Sequence, residues 1–291
     1  MAATIIDGVS FGNRIREEIA LAVANLGREG HRVQLNAVMV GSSPAGEVYA
    51  RRQGEACRAV GIGYELVTLP ADATAARVRR EIAQLNENNS VTGIMLHLPL
   101  PAHLDATALQ YQIDPVKDVE GVNPANIGYV VYGHTLIAPC TALAVIEMIK
   151  STGVTLRGAE AVVVGASEIA GKPIALLLAE EMATVTLCHI ATVDLAAHTR
   201  RAEVLVVAVG KVGLIQGEQV RPGACVIDVG INRVRGVDGT MRTVGDVDYE
   251  SVFPVAGHLS PVPGGVGPVT VAMLLKNTFR SAMLGLKGSR V

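Results

Sequence analysis

Two α/β domains built on parallel sheets are what this 291-residue chain predicts, and three observations predict them. Apolar runs of strand length alternate with helical periodicity along most of the chain, the pattern of βαβ units. With 49% apolar residues, 3% aromatic and no tryptophan, the interior must be built from Val, Ile, Leu and Ala, the usual filling of parallel sheets covered by helices. The length also exceeds what one compact core usually takes.

In order, Phe11, Ile15, Ile19, Val23 and Leu26 recur at helical spacing and predict a helix over 10–28. Residues 35–40 read as a buried strand ended by Gly41. Pro44 stands near the start of a helix running to about Val60, followed by a strand over 64–69 and a helix over 75–86. The apolar run 91–98 is a strand stopped by Pro99 and Pro101. A second cycle follows the turn Pro139-Cys140-Thr141: a helix over 142–150, a strand over 161–164, a helix after Lys172, and strands near 185–188, 204–209 and 225–229. This spacing suits a doubly wound nucleotide-binding unit. The string 261–268, PVPGGVGP, carries too many glycines and prolines for a regular element and predicts a shaped loop before a last helix over 269–284. The start of the second cycle sets a domain boundary near 140/141.

A formal net charge of −2, with both signs mixed along the chain, shows no nucleic-acid footprint and favours a small-molecule ligand. Cys57, Cys140, Cys188 and Cys225 form no Cys-x-x-Cys pair, which speaks against a zinc site or disulfide framework and for a reducing, cytoplasmic setting. The first ten residues lack a basic stretch leading into an apolar core, and no apolar run reaches the roughly 18 residues that span a bilayer. No metal site and no membrane partner are expected.

Gly165-Ala166-Ser167-Glu168-Ile169-Ala170-Gly171 follows a strand and opens a helix, where backbone N–H groups can face a pyrophosphate. Alone, such a glycine turn is weak. Ala208-Val209-Gly210-Lys211 and Asp228-Val229-Gly230-Ile231-Asn232 strengthen it, because each ends a strand at a glycine on the edge where dinucleotides bind.

Four strings carry more: GIMLHLPLP at 93–101, VKDVEG at 116–121, VVVGASEIAGKP at 162–173 and PVPGGVGPVT at 261–270, with Ile6-Asp7-Gly8 ahead of them. Together they resemble the bifunctional methylenetetrahydrofolate dehydrogenase/cyclohydrolase family. The resemblance implies a folate-binding catalytic domain, 1–140 plus 268–291 with the last helix packing back on it, and a Rossmann-like domain, 141–267, with the active cleft between them, a homodimer formed through the nucleotide domain, and two reactions. Methylenetetrahydrofolate first loses a hydride to NAD or NADP, and water then opens the methenyl cation to formyltetrahydrofolate. Carried onto this chain, the cofactor falls to Gly165, Ala166, Ser167, Gly171, Ile190, Val209, Gly210, Lys211 and Ile231. The folate falls to Tyr49, His97, Leu98, Glu120, Pro263, Gly264 and Gly265.

The departures concern the reacting end. The family's Tyr-x-x-x-Lys is Tyr49-Ala50-Arg51-Arg52-Gln53, its Val-Gln-Leu-Pro-Leu-Pro has His97 for the glutamine, and its Lys-Asp-Val-Asp-Gly has Glu120 for the second aspartate. Pro-x-Gly after Pro139-Cys140-Thr141 is replaced by Ala142-Leu143-Ala144. The resemblance gives the lysine the proton transfers of ring opening; Gln53 has no titratable proton. Hydride transfer with weak or lost hydrolysis is therefore expected. Tyr49 keeps a ring able to stack on the folate, though on an apolar helix it also suits packing. His97 and Glu120 leave two readings open: a folate site that has drifted, with Glu120 keeping the carboxylate contact, or a new acid/base pair. A silent folate or dinucleotide sensor is a third. For the cofactor, Ile190 in Cys188-His189-Ile190-Ala191-Thr192 stands where a donor to a 2′-phosphate is expected, and Glu168 adds an acid nearby. This leans slightly to NAD, with Lys172 and Arg200 as cations still able to serve NADP.

Overall fold

The computed structural model describes residues 2–42, 44–236 and 239–288. In chain order the elements are β1 (Thr4–Ile5), α1 (Gly8–Arg28), β2 (Gln34–Val40), α2 (Pro44–Ala59), β3 (Gly63–Leu69), α3 (Ala75–Glu87), β4 (Gly93–Leu96), α4 (Ala106–Gln110), α5 (Pro124–Val131), α6 (Cys140–Ser151), β5 (Glu160–Val164), α7 (Gly171–Glu180), β6 (Thr184–Cys188), α8 (Leu195–Thr199), β7 (Val204–Val207), β8 (Cys225–Asp228), β9 (Asn232–Arg235), β10 (Met241–Val244), α9 (Tyr249–Val252), β11 (His258–Leu259) and α10 (Val266–Gly288). The fold is α/β with parallel sheets, as the sequence predicts.

The chain divides into two compact units, one made of Asn13–Cys140 with the chain from Val271 onward, the other of the chain up to Gly12 with Thr141–Thr270. The first carries a three-stranded parallel sheet in the order β3-β2-β4. Central β2 is buried from Leu35 to Val40, and Val38, Ile82, Ile94, Leu96 and Leu109 share its core. The apolar run 91–98 yields a shorter strand than predicted. Ile94 leans on the segment after it, taking the Lys117 carbonyl at 2.8 Å and bridging Asp118, which brings residues 116–121 alongside β4.

The second unit has six parallel strands in the order β1-β11-β8-β7-β5-β6. β5 has β6 on one side and β7 on the other, so the winding reverses there and the carboxyl ends of β5 and β7 flank a switch point, where doubly wound sheets bind ligands. Two-residue β1 pairs with β11 through Thr4 and His258. The first 12 residues therefore group with this sheet rather than with residues 13–140, against the boundary drawn from sequence. The antiparallel pair β9–β10 was not expected either.

The predicted loop 261–268 is also shorter than expected, because α10 begins at Val266. Gly267 and Pro268 fall in its first turn, where a missing N–H costs nothing. No helix among the described residues is long and apolar enough to cross a membrane. All four cysteines are free and buried.

Candidate active site

In the first unit, Tyr49 and Gln53 stand one turn apart on α2, so both side chains leave the same face. His97 follows β4 directly, donating its backbone N–H to the Val38 carbonyl at 2.8 Å. The structure brings these three together. The Tyr49 ring meets the His97 ring edge-on, with centroids 5.6 Å apart and planes at 88°. Gln53, 5% exposed, donates from Nε2 to Met95 Sδ at 2.8 Å and accepts at Oε1 from the Tyr64 hydroxyl at 3.3 Å. That same hydroxyl lies 3.4 Å from His97 Nε2. Arg51 and Arg52 are exposed on α2 and do not enter the space.

Tyr64 and Met95 were not singled out from sequence. The register explains them: Tyr64 and Gly93 flank Leu35, Met95 flanks Ala37 two residues on, and in a parallel sheet paired residues share a face. Strand alternation was the available signal, but it needed the pairing partner to be known.

Glu120 sits on the segment beside β4. Burial pushes its carboxyl up to about 8, the Asp118 carboxylate adds to the rise, and donors from the Leu96 backbone and Gln110 oppose it. Its Oε2 is buried with no hydrogen-bond partner among the described residues. Tyr49, though half exposed, titrates high, first because its hydroxyl is partly desolvated and then because the Glu120 charge opposes ionisation. Burial lowers His97, so a neutral imidazole is held at the strand end. Asp118 shapes the turn by accepting from the Gly121 and Asn123 backbones at 3.1 and 2.7 Å and from Asn126 Nδ2 at 3.1 Å. Asn277 of α10 ties the Val119 and Ala138 carbonyls at 2.9 and 3.0 Å. Leu98, about half exposed, precedes a cis bond to Pro99.

The buried Glu120 carboxyl has a consequence for stability. Its folded pKa, about 8, lies above the ordinary 4.5, so between these values the unfolded chain releases a proton that the folded chain keeps. Stability falls as pH rises through that window. Glu120→Gln is therefore expected to stabilise the protein by on the order of 1–3 kcal/mol at pH 8.5 and by little near pH 4.5. Urea unfolding at both pH values checks this, and an equal difference at the two would refute it.

In the second unit the glycine loop is a cradle without room for side chains. Gly165 has φ +113° and a Cβ there would stand 2.1 Å from the Ala208 carbonyl oxygen; one on Gly171 would stand 1.7 Å from the Gly165 carbonyl oxygen. β5, β7 and the start of α7 thus approach at backbone distance, the arrangement that lets a pyrophosphate reach helix N–H groups. Ser167 accepts from the Gly171 N–H at 3.3 Å, and Ala166 is partly covered. Across the switch point the Val209 and Gly210 N–H groups both donate to Asp246 Oδ2, at 2.7 and 2.8 Å. Asn232 Nδ2 donates to Asp246 Oδ1 at 2.8 Å. Asp228, beside it, accepts from Gly230, Asp246 and Val247 at 2.9, 3.0 and 2.9 Å. Burial lifts Asp228 to about 6. Asp246 was missed in the sequence, where it looks like a surface-loop acid.

Val209, Ile231 and fully exposed Ile190 line this edge as apolar groups facing outward, with Lys211 and Lys172 exposed. Arg200 gives its Nε to the Glu218 carbonyl at 2.9 Å, and Arg201 is held by Thr186 Oγ1 at 2.8 Å and Glu160 at 3.6 Å. In the loop before α10, Gly264 has φ +101°, and a Cβ on Gly265 would stand 2.5 Å from the Pro261 carbonyl oxygen. A Cβ on Gly8 would stand 1.8 Å from the Gly265 carbonyl oxygen. Ile6-Asp7-Gly8 and PVPGG therefore pack backbone to backbone, while Pro263 stays exposed.

Two family models match the chain: "Tetrahydrofolate dehydrogenase/cyclohydrolase, catalytic domain" over residues 6–120 and the NAD(P)-binding domain of the same family over 139–285. Bifunctional protein FolD of Bordetella avium is 51% identical over 97% of this chain and 98% of its own length. Among solved structures, the bifunctional FolD enzyme of Campylobacter jejuni superposes with a TM-score of 0.92 at 39% identity, covering 97% of this chain and 99% of that one. The Trypanosoma brucei dehydrogenase-cyclohydrolase, solved with NADP and an inhibitor, gives 0.91 at 40% identity and covers 99% of both chains.

Proposed function

The chain belongs to the tetrahydrofolate dehydrogenase/cyclohydrolase family, and on that footing we propose that it oxidises methylenetetrahydrofolate with NAD or NADP and hydrolyses the methenyl product only slowly. It is an oxidoreductase of folate one-carbon metabolism with a nicotinamide-binding, Rossmann-like unit. The division of labour we assign gives the folate to the unit of β2, β3 and β4 and the dinucleotide to the six-stranded unit. When bound, the nicotinamide ring is the hydride acceptor. The chain's part is to hold the pyrophosphate at Gly165–Gly171 and to position the ring against Val209, Gly210 and Ile231 in the six-stranded unit, and to seat the folate by Tyr49, Leu98 and Glu120 in the other. Glu120 Oε2, buried and unpartnered among the described residues, suits a carboxyl that waits for a ligand donor.

The observation that carries the slow second step is Gln53. It is engaged at both ends, by Met95 and Tyr64, at the position where ring opening calls for a proton-handling group. The relatives' name, bifunctional, supports some surviving hydrolysis. Ile190, Ala166 and Glu168 support NAD over NADP, and Arg200 and Arg201 are already engaged elsewhere; Lys172 is the cation left to serve a 2′-phosphate. A homodimer in the cytoplasm completes the proposal, and analytical ultracentrifugation tests the assembly.

One absorbance time course with methylenetetrahydrofolate, run with each cofactor, tests the rest. Methenyl product is expected to accumulate in step with reduced nicotinamide, faster with NAD. Hydrolysis keeping pace with oxidation would overturn the slow second step, and no reduced nicotinamide with either cofactor would overturn the dehydrogenase.

A further inference from the structure

We infer that Tyr64 positions His97 as its Nε2–H tautomer, leaving Nδ1 as the proton acceptor for the hydrolysis that this site performs. The inference rests on the one-carbon reading above and gives its second step a residue. The argument starts at Met95. A thioether sulfur accepts and never donates, so Gln53 must turn its NH2 to Sδ and its carbonyl to Tyr64. The opposite orientation would press the carbonyl oxygen on the sulfur with no hydrogen between them. The Tyr64 hydroxyl has one hydrogen and spends it on Gln53 Oε1. What it offers His97 Nε2, 3.4 Å away, is then a lone pair, so Nε2 must carry the hydrogen. A sulfur thus sets an amide, the amide a hydroxyl, and the hydroxyl an imidazole.

Nδ1 keeps the ring's lone pair, and no hydrogen bond to it is seen among the described residues. Tyr49 from α2 and Tyr64 from β3 face the ring, with Glu120 across Tyr49. Set beside the family pattern, the chemistry has changed places: the amide stands on α2 and the titratable group at the end of β4. A water oxygen bonds to the methenyl carbon as its proton passes to Nδ1. The proton then goes to the substrate nitrogen whose bond to that carbon breaks, and the adduct's hydroxyl proton leaves to solvent as the formyl C=O forms. One water is consumed and one proton released.

Histidine-¹⁵N NMR of the full chain near pH 7.5, assigned with His97→Gln, reads the tautomer directly. A protonated-type Nε2 and a bare-type Nδ1 are expected. Tyr64→Phe should give a tautomer mixture and slow hydrolysis of added methenyltetrahydrofolate about 10-fold in kcat with little change in KM, a larger loss than in hydride transfer. Met95→Leu, which removes the sulfur and keeps the volume, should also give a mixture. An Nδ1–H tautomer in the unaltered protein, a Tyr64→Phe protein with unchanged tautomer and hydrolysis, or hydrolysis no faster than in buffer each overturns the inference. Failure to reduce nicotinamide would instead overturn the dehydrogenase reading and leave the NMR result standing.

Discussion

Exchanging the two side chains back, with Gln53→Lys and His97→Gln made together, is expected to speed methenyltetrahydrofolate hydrolysis by about 10-fold, less than the roughly 10²–10⁴ that a positioned general acid/base contributes over none, because the lysine takes over a role that His97 already fills. The lysine brings a titratable proton to α2, one turn from Tyr49. The glutamine at 97 brings a carbonyl that can accept from the ammonium across the space Tyr64 now bridges. Each single change should do less. Gln53→Lys alone sets an ammonium against Met95 Sδ, a weak acceptor, and beside an imidazole whose Nε2 already carries hydrogen. His97→Gln alone leaves the site with two amides and removes its neutral base. Residues sharing one hydrogen-bond network do not add, so the double change should exceed the product of the singles. Decay of methenyl absorbance in the four proteins measures this. A double variant that still reduces nicotinamide but hydrolyses no faster than the original chain would mean that the proton step does not limit hydrolysis here.

Strand–helix alternation disclosed most of the fold, because each buried strand from β2 to β8 is an apolar run closed by Gly, Pro or a polar turn. The exceptions have physical reasons. β1 and β11 are two residues long, below the length at which a period of two can be seen. β9 alternates half-buried with exposed residues but carries two arginines in four positions, so it resembles a solvated segment. The glycines and proline of 261–268 point to a loop, yet the first turn of a helix tolerates them, and α10 starts three residues early.

The site divides the same way. Tyr49, Gln53, His97 and Glu120 could be singled out because they fall inside strings that resemble a family. Three of them prove to be gathered by ring contacts and hydrogen bonds around one space, and Glu120 is electrostatically coupled to Tyr49. Tyr64, Met95 and Asp246 were not legible. Their roles lie wholly in contacts with residues distant in sequence, and nothing in the residue type alone separates a strand tyrosine that packs from one that relays a hydrogen bond.

Asp246→Ala should be among the most costly substitutions in the second unit, at about 3–5 kcal/mol, the scale for removing one member of a buried, charge-assisted network. The carboxylate is fully buried. It is shared by the Val209 and Gly210 N–H groups and by Asn232 Nδ2, so alanine leaves three donors without an acceptor. Those donors lie just after β7 and at the start of β9, and Asp228 ties the same region through the Gly230, Asp246 and Val247 N–H groups. Loss of the first carboxylate therefore also loosens the turn that presents Val209, Gly210 and Ile231, and dinucleotide affinity should fall about 10-fold or more. Asp246→Asn separates charge from connectivity. Its remaining oxygen can keep the two backbone donors, and the Asn232 amide can turn to offer its own oxygen to the new NH2, so the cost should drop to about 1–2 kcal/mol. Urea unfolding gives the stabilities and dinucleotide titration the affinities. An alanine variant losing less than about 1 kcal/mol would mean that water or a neighbouring group satisfies the donors, and the picture of a carboxylate clamping the nicotinamide edge would fail with it.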